Sequence, residues 1–100
     1  MKAVILLAAV LGLLTPASAE DELRKLAAGL PQDAAAVVTR RAMCNHWAGE
    51  EPYDKERARE IERAIKQNRC ESLDGDEAAV RKRYANDPRV LKALEDAQDF

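Results

Sequence analysis

Cys44 and Cys70 are the only two cysteines in this chain of 100 residues, and the pair limits the fold more than any other feature. An even count in a small exported chain reads as one intramolecular disulfide, with an intermolecular bridge or two free thiols as the alternatives. Such a bridge closes a loop of about 27 residues and stabilises the folded state by roughly 3 to 4 kcal/mol on the chain-entropy model. Short chains bury a smaller fraction of their surface than larger domains, so a covalent staple of that size is a large share of what holds them folded.

The start of the chain supplies the export signal that this reading needs. Lys2 precedes an unbroken apolar run over 3–14, and Ala17-Ser18-Ala19 meets the small-x-small rule of signal peptidase. A signal peptide over 1–19 is expected, cleaved after Ala19, with one domain over 20–100 in the periplasm or secreted. The run is too short for a bilayer span, which needs about 20 residues, and no Cys near the cut offers a lipid anchor. Removing 19 of 100 residues leaves 81 and takes Lys plus Arg from 16 to 15 against 18 acids, a net charge of −3. A mildly acidic chain lacks the basic excess of a general nucleic-acid binder.

The body of the chain reads as all-α, a small disulfide-stapled bundle of about four main helices. Ala, Arg, Glu, Lys and Leu dominate, and no alternating run of β-branched residues appears. A short first helix is predicted over 21–28, stopped by Gly29 before Pro31. A second is predicted over 33–47 with Asp33 as N-cap, burying Ala35, Val38 and Ala42 beside Val37 and Cys44. The third, over 55–68, follows a cap at Asp54 and aligns Ala58, Ile61 and Ile65, with Tyr53 placed to staple onto Ala58. Cys70 falls about 140° away from the Ile61/Ile65 face, on the side of Arg59 and Arg63, so the helix must break near Asn68 for Cys70 to reach Cys44. A fourth helix is predicted over 75–85, with Asp74 and Glu77 as a capping box, Leu73 and Ala78 as its staple, and Val80 and Tyr84 facing inward. Asp87 and Pro88 open the last helix, whose face is Val90, Leu91, Leu94 and Ala97.

Chemistry concentrates in the stretch CNHWAGEEPYD over 44–54, which holds the only His, the only Trp and one of two Tyr. As structure, it is a helix-loop-helix corner beside the disulfide, in which Trp47 and Tyr53 fill space. As a binding surface, it offers Trp47, Glu50, Glu51, Tyr53 and Asp54. As a metal site, it would use His46 with Glu50 and Asp54, the donor types of a zinc shell. Against the metal reading, one His lacks a second, and Gly49 with Pro52 are expected to break the register that would align His46 with Glu50. No nucleophile stands in a catalytic motif, and CNH lacks the CxxCH of haem attachment. The basic run over 81–84 reads as a solvated face, with Glu77 four residues before Arg81, and Glu62 with Lys66 pairs likewise on the third helix.

The sequence therefore predicts a non-enzymatic exported module without a cofactor, binding a protein or cell-envelope component through the 47–54 corner. A small metal-binding protein centred on His46 is the alternative. The oligomeric state is not encoded in any pattern found here.

Overall fold

A computed structural model of the chain describes residues 18–100. The expected leader thus lies outside the described residues, apart from Ser18 and Ala19. Five helices follow: α1 Ala19–Ala27, α2 Gln32–Ala48, α3 Lys55–Gln67, α4 Leu73–Arg83 and α5 Pro88–Gln98, with one 3-10 turn, Cys70–Ser72, joining α3 to α4. The described residues contain no strand, and no helix among them is long and apolar enough to cross a membrane. The fold is all-α, and Cys44 is bonded to Cys70.

Helix α2 is the hub, in contact with each of the other four. It can serve as one because its apolar positions, Ala34, Val37, Val38, Ala42 and Cys44, spread over a wide arc and are mostly small, so neighbours approach from several sides. Leu73 and Val80 of α4 and Val90, Ala93, Leu94 and Ala97 of α5 complete the main core. Each fully buried Leu or Val there stabilises by roughly 1.5–3 kcal/mol relative to exposure. Helix α3 adds only Ile61 and Ala64, which lie outside that cluster. Helix α1 buries no residue fully, and its Leu23 and Leu26 pack half-covered on the core.

Local sequence sets most helix ends. The Asp54 carboxylate accepts the Arg57 N–H at 2.7 Å, and Asp87 accepts the N–H groups of Arg89 and Val90 ahead of Pro88. Gly29, at φ +76°, makes the left-handed turn between α1 and α2 that a side chain would strain. The break required near Asn68 is present: α3 stops at Gln67, Arg69 turns left-handed at φ 50°, and Cys70 starts a new turn facing α2.

Four local expectations are not met. Asp33 does not cap α2, because Pro31 lets the helix start a residue earlier. Its carboxylate instead accepts the Tyr84 hydroxyl at 2.6 Å and bonds Arg83, tying the end of α4 to the start of α2. The Asp74/Glu77 capping box does not form, since the 3-10 turn runs straight into α4 at Leu73 and both carboxylates turn to Arg41 of α2. Leu73 is fully buried in the core while Ala78 is exposed, so they make no staple. Tyr53 likewise stands away from Ala58, 78% exposed.

Candidate functional site

Two adjacent arginines on α2 fix the framework behind the corner. Arg40 donates to the carbonyls of Asn68 and Arg69 at 3.0 Å each, and to Asp76 at 2.8 Å, so it caps the end of α3 and grips the start of α4. Arg41 donates to Glu77 at 2.7 Å and Asp74 at 2.6 Å. Glu77 is only 8% exposed and also accepts from Arg81 at 3.0 Å, so its buried charge is matched from both sides. Burial works against the Arg41 charge, but the bonds to Asp74 and Glu77 outweigh it and raise the Arg41 pKa further. Four residues beyond Arg41, the Asn45 amide donates to the carbonyls of Ala97 and Gln98 and so caps α5 as well.

One turn further along α2, the corner begins. His46 and Glu50 are in contact, Nε2 to Oε1 at 3.3 Å, which corrects the expectation that Gly49 breaks their register. Gly49 keeps right-handed helical angles, and its N–H bonds Asn45 and His46, so the helical rotation carries through to Glu50. Arg57, arriving from the first turn of α3, lays its guanidinium 5.1 Å over the Trp47 ring and reaches Glu50 at 3.3 Å and also Glu60. Burial opposes the Arg57 charge, and its hydrogen bonds to Glu60 and Glu50 overcome that and raise the pKa. The His46 ring meets Trp47 edge-on at 5.5 Å. Glu50 is thus a brace between two helices, and Trp47 is the surface on which they close.

The tip of the corner is different. Glu51, Pro52, Tyr53 and Asp54 are all exposed, Asp54 is committed to its cap, and Glu51 makes no ion pair with any described residue. Beside the tip, a groove of about 420 Å³ runs between α2 and α3, with Trp47, Pro52, Ala58, Ile61 and Ile65 along it and Glu62 and Glu71 at its margin. Glu62 is paired with Lys66 at 3.3 Å, as its spacing predicts.

Of the five residues singled out as a binding surface, Tyr53 and Glu51 are free, Asp54 and Glu50 are engaged, and Trp47 is half-buried. For the metal set, His46 and Glu50 meet, but no group of three or more His, Cys, Asp or Glu is placed to hold an ion among the described residues. Arg57, Arg40 and Arg41 were not anticipated. An Arg three residues past a capping Asp, facing an upstream Trp, is a detectable pattern for the first; nothing local distinguishes Arg40 and Arg41 from solvated arginines.

Comparison with protein-family models, with curated proteins and with solved structures returns no match to this chain.

Proposed function

We propose that this is a non-enzymatic binding module of the periplasm or the secreted space, and that it recognises a protein or other cell-envelope component through the tip of the α2–α3 corner. One observation carries the reading: Tyr53 is the exposed large hydrophobic side chain among the described residues, and it stands in the turn that Glu50 and Arg57 brace. A scattered apolar side chain on a surface is ordinary. Here, however, Tyr53 lies two positions from Glu51, which has no ion pair among the described residues, and follows Pro52, which lines an apolar groove. An aromatic anchor with polar neighbours is the composition of interaction hot spots. The bracing by Glu50 and Arg57 lowers the ordering cost of association, because the turn is held in one shape.

The export signal of the sequence and the disulfide both suit an oxidising compartment. The reading is tested by capture of envelope components on the immobilised protein. Tyr53→Ala with Glu51→Ala should abolish capture, whereas Arg81→Ala with Lys82→Ala should preserve it, circular dichroism confirming that both fold. Loss with the basic pair alone would place the binding face on α4 and point to an anionic partner. Glu50 is left intact in this test, since its removal would release Arg57 and confuse contact with collapse.

A further inference from the structure

Apart from the corner, α1, α5 and the turn before α2 line a second, open groove of about 460 Å³. Its floor is apolar: Leu26 and Leu30 are half-buried there, Ala93 is buried, and Pro88 closes one end. Its margin is cationic, with Lys25, Arg89 and Lys92 against a single acid, Asp96. Asp96 is already bonded to Lys92 at 3.1 Å. The nearest carboxylate to Arg89 is Asp87 at 3.9 Å, which is engaged in capping α5. Lys25 makes no ion pair among the described residues, where the bridges of α1 are made by Arg24. Arg89 Nη1 lies 4.0 Å from where a Cβ on Gly29 would stand, so the guanidinium rests beside the glycine turn. Lys25, without an ion pair among the described residues, and Arg89, whose ion pair there is the 3.9 Å contact with Asp87, therefore stand beside a floor that the described residues leave open.

We infer that this groove binds a free single-chain carboxylate, an amphiphilic anion of the fatty-acid class. An inorganic anion would satisfy Lys25 and Arg89 but leave the Leu26, Leu30 and Ala93 floor wet. A neutral lipid would cover the floor and leave the cations unmatched. Arg89 suits a carboxylate because its planar guanidinium donates to both oxygens at once. The volume falls within the roughly 300–1,000 Å³ of small-molecule sites, whereas a helix about 10 Å across would fit little more than one turn, so a docked acidic helix is disfavoured. The site is separate from the Tyr53 corner and does not depend on it.

The test is calorimetric titration of the oxidised protein with dodecanoate, kept below its micelle threshold and at low salt. Saturable binding of one equivalent is expected, weakening about tenfold when the chain is shortened to decanoate and weakening as salt is raised. Lys25→Glu with Arg89→Glu should reduce affinity at least tenfold, and Tyr53→Ala with Glu51→Ala should leave it unchanged. If the charge-reversed variant does not fold, Arg89→Gln, expected to weaken binding severalfold, gives the same reading. Absence of saturable binding, or equal binding of dodecyltrimethylammonium, would overturn the inference. So would failure to bind dodecanoate while the protein sediments with phosphatidylglycerol vesicles, which would make the groove a surface for anionic membranes.

Discussion

Helices α3 and α4 leave α2 in opposite manners. Helix α4 buries Leu73 and Val80 in the main core and is locked by Arg40 and Arg41, whose targets Asp76, Asp74 and Glu77 all lie on it. Helix α3 buries Ile61 and Ala64 outside that core and is held at its two ends, by Arg57 on Trp47 at one and by Arg40 and the disulfide turn at the other. Ion pairs serve both helices, but with different results. Between α2 and α4 they match a buried charge; between α2 and α3 they brace the ends and leave an apolar groove and an exposed Tyr53 between and beyond them.

The disulfide gives the largest expected effect. Cys44→Ser should cost about 3.5 kcal/mol in urea denaturation, from the entropy of a loop of about 27 residues. If the two interfaces differ as described, amide exchange should quicken in α3 well before α4, because α4 keeps its arginine locks. Equal acceleration in both would erase the distinction.

Arg41→Ala should cost about 2.5 kcal/mol, less than the 3–5 of a wholly buried pair because Arg81 still faces Glu77. Adding Glu77→Gln should recover part of the loss, as a double-mutant cycle would reveal. Trp47→Ala comes next, at about 2 kcal/mol for a half-buried ring, and should loosen the start of α3 without touching α4. Arg57→Ala should loosen the same turn.

A smaller effect separates the two interfaces by pH. The hydroxyl of Tyr84 and, less strongly, Arg83 hold the Asp33 pKa below its usual value against some desolvation, so this stabilisation is present above about pH 4 and fades as pH falls through the lowered value. The same hydrogen bond, with desolvation, raises the Tyr84 pKa, so its contribution is full below about pH 10 and is lost as pH rises through the raised value. Tyr84→Phe should flatten both edges of a melting-temperature profile, and an unchanged profile would show that the α2–α4 tie carries no such contribution. The smallest effect is at the tip: Tyr53→Ala should alter stability by no more than about 0.5 kcal/mol, as at an ordinary surface position.

Features governed by nearest neighbours in the chain were legible without the structure. Asp54 and Asp87 cap as their spacing predicts, and the geometry of Cys70 relative to Ile65 demanded the break that Arg69 supplies. What misled was local chemistry overruled from a distance. Asp74 and Glu77 have the spacing of a capping box, but Arg41, more than thirty residues earlier, offers both carboxylates a charged partner. Asp33 lies inside a helix that starts before it, and its carboxylate accepts the Tyr84 hydroxyl as well as the Ala34 N–H. Gly49 ends α2 as a glycine stop should, yet its right-handed angles keep the chain turning far enough for Glu50 to meet His46. The division of the corner's residues into braces and an exposed tip was not legible, because it depends on where Arg57 lands.

That division is the central claim, and site-specific cross-linking tests it most directly. A photoreactive phenylalanine analogue in place of Tyr53, in the protein exported by living cells, should yield one discrete cross-linked partner species, and the same probe at exposed Ala79 of α4 should yield none. Cross-links from Ala79 and none from position 53 would contradict the account.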